Sequence, residues 1–183
     1  MIPKIIHYCW FGGQPKPEMV LKCIESWKKY CPDWEIIEWN ESNFDVSQHP
    51  YMKEAYERKM WAFVSDVARL LLVYNYGGIY LDTDVELHES LNELLIERAF
   101  FAFESDVYIN TGVGFGCEKG HKSVETMLHY YDKRNFIKNG KINTKPCPVG
   151  NTEALKDAYA EFVSNGEGQK FADIRILSVK EYQ

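Results

Sequence analysis

The segment WAFVSDVARLLLVYNYGGIYLDTDVE, Trp61 to Glu86, restricts the fold of this chain more than any other stretch. From Trp61 to Tyr76 it is apolar on almost every side of a helical wheel, and such a helix belongs inside a protein. Gly77-Gly78 then ends it, because glycine takes the left-handed conformation of a helix C-terminus without steric cost. The run Ile79–Val85 follows as a predicted strand whose apolar residues give way to carboxylates. A buried helix that passes directly into a strand needs a sheet to lie on.

The rest of the chain supplies that sheet. Strand patterns at KIIHYCW, WEIIEW, FFAFES, VGFGCE and IRILSV alternate with helical patterns. The helices are predicted at PEMVLKCIESWKKYC, YMKEAYERK, SLNELLIERA, HKSVETMLHYYDKR and NTEALKDAYAEFVSN, with GKINTKPCPVG as a loop. The alternation predicts an α/β fold with a parallel or mixed sheet. At 183 residues, with no repeat, linker or low-complexity tract, the chain reads as one domain.

Charge and cysteine usage narrow the function. A net charge of −6 without a basic block argues against a nucleic-acid groove. It leaves room for an anionic small molecule where a metal supplies positive charge. No apolar run, LLLVY included, approaches the length of a membrane span, and Lys4 and His7 interrupt the N-terminal stretch too early for a signal sequence. Cys9, Cys23, Cys31, Cys117 and Cys147 form no CxxC pair, so reduced thiols and a cytoplasmic location are expected.

The candidate chemistry sits at the end of the strand after Gly78. Alternation along an extended strand points Tyr80, Asp82, Asp84 and Glu86 to one side. Open α/β sheets bind ligands beyond the carboxyl ends of their strands. Two carboxylates two residues apart can share a hard divalent cation that keeps positions free for phosphate oxygens. An isolated DxD is more often an acidic turn. The helix before it adds a second signal, since Ala62, Ser65, Asp66 and Arg69 form one small, polar stripe on an otherwise apolar cylinder. A charge buried there is costly unless paired or bound. Asp66 and Arg69 either satisfy each other or hold a ligand.

IPKIIHYCWFGG, WAFVSDVARLLLVYNYGGIYLDTDVE and INTGVGFG together resemble the DxD-containing sugar transferases of bacterial capsule and lipopolysaccharide synthesis. Yeast mannosyltransferases and the glucosyltransferase domains of large clostridial toxins are relatives of that family. The ordered combination of I-H-x-x-W, S-D-x-x-R and G-G-x-Y-x-D-x-D carries the resemblance, which runs to about Gly116 and weakens beyond it. It implies a GT-A fold, a Rossmann-like mixed sheet flanked by helices. It implies a retaining glycosyltransferase that uses a UDP- or GDP-sugar donor with Mn²⁺ or Mg²⁺. The implied acceptor is a saccharide in capsule, exopolysaccharide or lipopolysaccharide synthesis, lipid-linked in capsule-type relatives at the inner membrane face.

Carried over by position, Trp10 resembles the tryptophan that stacks on the donor base. Ser65, Asp66 and Arg69 resemble residues that hold ribose and sugar hydroxyls. Tyr80 and Asp82 match positions near the ribose and the metal, Asp84 matches the direct metal ligand, and Asn110 resembles a residue lining the sugar pocket. The resemblance thus implies Asp66, Arg69 and Asn110 as the catalytic set and Asp82 and Asp84 as the metal set. His7 also matches the motif but reads as a hydrogen-bonded core histidine. Family members continue to a closing segment with a histidine or tryptophan, whereas this sequence stops at KEYQ. His88, His121 and His129 read as loop or helix surface and offer no replacement. The expectation is therefore a single domain, 1–183, without that closing segment.

Two further classes compete. IYLDTDV also resembles the nucleophile strand of haloacid-dehalogenase phosphatases, but Glu86 stands where those enzymes carry Thr or Val, and no later acidic pair follows. A non-catalytic module that retains donor affinity is the other alternative.

Overall fold

The computed structural model describes residues 1–143 and 145–182. Strand β1 (Ile5–Cys9) leads into helix α1 (Glu18–Tyr30) and strand β2 (Glu35–Trp39). A short 3-10 turn, Val46–Gln48, precedes α2 (Pro50–Glu57), which is followed by α3 (Trp61–Tyr76) and β3 (Gly78–Tyr80). A 3-10 segment at Leu91–Ile96 separates β3 from β4 (Ala99–Ala102), and β5 (Phe115–Cys117) and α4 (Lys122–Asp132) come next. The remainder is a small hairpin, β6 (Ile137–Lys138) and β7 (Lys141–Ile142), then α5 (Cys147–Ala158), β8 (Gln169–Phe171), β9 (Ile174–Leu177) and α6 (Val179–Tyr182).

Seven strands form one mixed sheet in the order β2-β1-β3-β5-β4-β9-β8. β1 runs parallel to both β2 and β3, and β5 is antiparallel to β3 and β4. Period-two alternation divides the core between the sheet's faces. Ile6, Tyr8, Ile79 and Leu81 pack on one side with Val20, Ile24 and Trp27 of α1. Tyr80, Phe101 and Phe115 pack on the other with Val64, Val67 and Leu70 of α3 and with α4 and α5. The almost wholly apolar α3 thus lies where its composition demands, in the middle of a helical layer.

The turn from α3 to β3 has a specific lock. Gly77 takes φ +70° and donates its N–H to Val73 O at 2.8 Å, which closes the helix. His7 is fully buried beneath it. Trp39 Nε1 donates to His7 Nδ1 at 3.1 Å, so the proton is on Nε2, which donates to Gly77 O at 2.7 Å. This neutral imidazole ties β1, β2 and the glycine turn together, in line with its reading as a core histidine. Burial lowers its pKa below the usual 6.5.

Four sequence expectations are corrected. The strand expected through Val85 ends at Tyr80, because the chain turns at Thr83-Asp84 and Val85 N bonds back to Asp82 O at 3.1 Å. After that turn the backbone docks on α1, where Trp27 Nε1 donates to Val85 O at 2.8 Å and Leu87 N donates to Ser26 Oγ at 2.9 Å. α5 begins at Cys147, within the expected loop, since Pro148 suits a helix's first turn, where its missing N–H is no loss. His121 is a buried N-cap rather than a surface residue, accepting from Ser123 N and facing Asp173 at 3.1 Å. The expected loop, which begins at Gly140, also contains the second strand of the β6–β7 hairpin, which closes through Asn139-Gly140 with φ values of 52° and 72°. All five cysteines are free and buried, as expected of reduced thiols.

Candidate functional site

Parallel pairing of β1 with β3 brings the residues after both strands to one edge of the sheet. At that edge the stripe of α3 meets the first acid of the DTD turn. Arg69 is almost completely buried, and its Nη2 lies 3.1 Å from Asp82 Oδ1 and 3.3 Å from Asp66 Oδ1. Its Nε donates to Ser65 O at 3.0 Å, one helical turn back. The Tyr80 hydroxyl donates to the same Asp82 oxygen at 2.9 Å, and the guanidinium stacks 4.9 Å from the Tyr80 ring centroid. Burial opposes the charge on Arg69, but Asp82, Tyr80 and Asp66 outweigh it and keep the side chain cationic.

Asp66 is in a different state. Desolvation pushes its pKa above the usual carboxylate value, and Arg69 only partly offsets this. Beneath it lies a polar layer drawn from two distant segments, the loop at Thr111 and the start of α5. The Cys147 thiol contacts the Asp66 carboxylate, and burial pushes that thiol up to about 12. Thr111 Oγ1 lies 3.4 Å from Cys147 Sγ, and Asn151 Nδ2 reaches Thr111 Oγ1 and Cys147 Sγ at 3.1 Å each.

The opposite wall is the backbone of Asn110 to Gly112. Gly112 O accepts from Asp82 N at 2.9 Å. A Cβ on Gly112 would overlap Asp82 Oδ2 and stand 2.8 Å from Arg69 Nη1 and 3.1 Å from Asn110 Oδ1. Only glycine allows the main chain to pass this close. Asn110 Oδ1 accepts from Gly112 N at 2.7 Å and its Nδ2 donates to Glu104 Oε2 at 2.6 Å, so its amide builds the turn that forms this wall.

The expected residues therefore divide. Asp66, Arg69, Tyr80 and Asp82 are brought into direct contact, and Asn110 stands beside them. The Ser65 hydroxyl donates to Trp61 O at 3.1 Å, inside its own helix, so the carbonyl of Ser65 is its link to the site. The turn separates Asp84 and Glu86 from Asp82. Asp84 is exposed and makes no hydrogen bond or ion pair among the described residues, whereas Glu86 pairs with Lys22 at 3.3 Å. Trp10 follows β1 at the same sheet edge, half-buried, with its Nε1 donating to Gln14 O at 2.7 Å. It lines a hollow of about 490 Å³ with Lys16, Glu38, Asn40 and Ser42.

The arrangement suits part of a metal shell. Among the described residues no three His, Cys, Asp or Glu side chains gather to hold an ion by themselves. Asp82 Oδ1 is already shared by Arg69 and Tyr80, which leaves its Oδ2 and the Asp84 carboxylate as candidate ligands. One or two carboxylates are what a hard cation takes from protein when phosphate oxygens and water complete its shell. The donor set fits such an ion. Gly112 and the layer under Asp66 escaped sequence reasoning. Thr111-Gly112 lay within a motif already noted, but nothing local joins Cys147 or Asn151 to Asp66 across some eighty residues of chain.

Known proteins resemble both the sequence and the fold. Residues 17–101 match the family model described as the glycosyltransferase sugar-binding region containing a DXD motif. Inositol phosphoceramide mannosyltransferase 3 of Schizosaccharomyces pombe is 33% identical over 66% of this chain and 34% of its own length. Inositol phosphoceramide mannosyltransferase 2 of the same yeast is 30% identical over 100% of this chain and 54% of its own. The chain thus spans between about a third and just over half of these two relatives. Among solved structures, the PaToxG glycosyltransferase superposes with a TM-score of 0.68 at 18% identity, covering 87% of this chain and 70% of that one. The likeness shows the fold to be of the GT-A type, as the sequence led one to expect.

Proposed function

We infer that this chain, whose residues 17–101 match the model of the DXD-containing glycosyltransferase sugar-binding region, moves a sugar from a nucleotide-sugar donor to a saccharide acceptor. The observation that carries this reading is Arg69, buried and shared between Asp66 and Asp82 at the carboxyl edge of the sheet. A structural ion pair needs one carboxylate. Two carboxylates converging on one guanidinium, with desolvation raising the pKa of Asp66, suit a site that binds hydroxyl groups and phosphate-borne charge.

In this reading Trp10 offers an aromatic face to the donor base, a contact worth roughly 1–3 kcal/mol. Asp66 accepts hydrogen bonds from sugar hydroxyls, and Arg69 keeps its carboxylate oriented. Asp82 and Asp84 would hold Mn²⁺ or Mg²⁺, which supplies Lewis-acid neutralisation of the leaving diphosphate. As the bond from the anomeric carbon to the β-phosphate oxygen breaks, its electron pair stays with the phosphate. The acceptor oxygen bonds to that carbon with retention, and the acceptor proton passes to the released phosphate. Holding donor and acceptor in register is the contribution of Asp66, Arg69 and the Asn110–Gly112 wall.

The relatives' names supply the finer proposal, a hexosyl and specifically mannosyl transfer to a phosphate-containing lipid of the inositol phosphoceramide kind. The capsule-type resemblance points to a lipid-linked saccharide of a capsule, exopolysaccharide or lipopolysaccharide, and both readings put the acceptor on lipid. Free, buried cysteines support a cytoplasmic setting. No helix among the described residues is long and apolar enough to cross a membrane, so contact with a lipid acceptor would be peripheral in this part of the chain.

The test is ligand-detected binding and turnover with a panel of UDP- and GDP-sugars, with and without Mn²⁺. Metal-dependent binding of one donor with release of nucleoside diphosphate supports the reading. Binding without turnover on any acceptor favours a donor-binding module. No binding of any nucleotide sugar would refute both.

A further inference from the structure

A second hollow, of about 550 Å³, opens between the end of α4, the β6–β7 hairpin and α5. In a chain of net charge −6, its lining includes Lys133, Arg134, Lys138 and Lys145 against one carboxylate, Asp157. A basic residue at the end of α4 is ordinary, since it complements the helix dipole. That explains Lys133 but neither Lys138, from the hairpin, nor Lys145, from the strand of chain before α5. Lys133 and Lys138 are exposed and make no ion pair among the described residues. Lys145 Nζ is held at 2.6 Å by Glu153 and 2.7 Å by the Tyr130 hydroxyl.

The independent observation is Arg134. It is more than nine-tenths buried, with its guanidinium 5.4 Å from the Tyr51 ring centroid and 5.5 Å from that of Tyr131. Its Nη2 donates to Lys145 O, but its Nε and Nη1 have no partner among the described residues. The two rings engage the cation, yet guanidinium N–H bonds lie in the plane of the group and still require acceptors. Buried, charged donors left unpaired are costly, and a planar fork of this kind matches phosphate oxygens. The charge of the same Arg134 also favours the ionised form of Asp66 in the candidate site.

We propose that this hollow is an anion site for a phosphate or pyrophosphate group, entered past Lys133 and Lys138 and floored by Lys145 and Arg134. The group arrives either on a lipid-borne acceptor or as a free ion, and the chemistry of recognition is the same. Only the acceptor role rests on the transferase reading, whereas occupancy of the site does not.

The experiment titrates inorganic pyrophosphate into the full chain by calorimetry, without nucleotide or divalent metal, and measures capture on phosphatidylcholine vesicles with and without phosphatidic acid. Binding should weaken at high salt and fall by roughly tenfold or more in the Lys133→Glu/Lys138→Glu double variant, since each lost charged contact is worth about one decade. Both lysines are exposed, so the fold survives the change, and thermal unfolding checks this. Arg134→Lys, which keeps the charge and loses the fork, should also weaken binding. Capture that needs phosphatidic acid and is displaced by pyrophosphate assigns a lipid-borne phosphate, and pyrophosphate binding without vesicle capture assigns a free one. Neither form of binding in the unaltered chain, or binding indifferent to the charge reversal, overturns the proposal. If pyrophosphate binds through these lysines in a protein that takes no nucleotide sugar, the transferase reading fails and this site stands.

Discussion

Arg69 Nη2 lies 3.1 Å from Asp82 Oδ1, and this contact joins the polar stripe of α3 to the acidic turn after β3. The two residues are thirteen positions apart, on different elements. Arg69→Met would leave Asp82 without its counter-charge in a partly enclosed site and should cost about 3–5 kcal/mol, the range for breaking a buried pair. Urea unfolding measures this. A loss below about 1 kcal/mol, the level of an exposed pair, would mean that solvent reaches the contact freely.

Asp66 should behave in the opposite way. Its folded pKa is raised above 3.8, so the folded state holds the proton more tightly than the unfolded chain. Its contribution to stability is accordingly highest in acid and declines as pH rises from 3.8 through the folded value. Removing the carboxylate takes away a desolvated ionisable group, while Arg69 retains Asp82 as partner. Asp66→Asn should therefore leave stability unchanged or raise it by about 1 kcal/mol, and transfer should be lost. Clear destabilisation in thermal melts would show that the Asp66–Arg69 pair is structural.

Gly112→Ala should disable the site with little warning from sequence. The added methyl overlaps Asp82 Oδ2 and crowds Arg69, so either the wall or the carboxylate must move. Overpacking of this kind costs about 1–3 kcal/mol. Metal-dependent nucleotide binding should fall with it, as read by titration calorimetry. An alanine variant with full affinity would show that the Asn110–Gly112 wall yields easily.

Asp84 separates binding from folding. Its side chain is exposed and unpaired among the described residues, so Asp84→Ala should change stability by less than about 0.5 kcal/mol. Metal-dependent affinity for a nucleoside diphosphate should nevertheless collapse. Unchanged affinity and metal dependence in this variant would remove Asp84 from the metal set.

Acid sensitivity should trace in part to His7. Its folded pKa is lowered by burial, so the unfolded chain takes up the proton first. The stability it contributes is complete above pH 6.5 and drains away as pH falls below that value towards the folded pKa. The slope approaches about 1.4 kcal/mol per pH unit for one proton. His121, also lowered by burial, adds to the same trend. Stability measured from pH 7.5 to 5 should show this slope, and His7→Gln should flatten it even though the variant is less stable throughout.

Helix and strand positions were legible wherever a local pattern and a local stop coincided. The bounds of α3 agree with the apolar run between Trp61 and Gly77, and those of α1 with Pro17 and Cys31-Pro32. Asn139-Gly140 marked a hairpin just as locally and was passed over, with Gly140 taken as the start of a loop, because the flanking strands are two residues each and mostly exposed. The residues of the candidate site could be named because Asp66, Arg69, Tyr80 and Asp82 sit within one stretch of helix, glycine turn and strand. Local spacing already limits how such residues can face one another.

Tertiary structure alone decided the rest. Alternation carried Asp84 and Glu86 past Tyr80 on one face, but docking of Val85 and Leu87 on α1 turned the chain after Asp82 and placed the later acids on a turn instead of a strand face. The energy of that docking lies in contacts some sixty residues distant, which no strand pattern contains. The same holds for the Gly112 wall against Asp82, for Cys147 under Asp66 and for the unpaired donors of Arg134. Periodicity reports which side of an element is apolar, because that preference is carried by each residue. Which polar groups meet across elements depends on how whole layers pack, and that is settled only when the chain closes on itself.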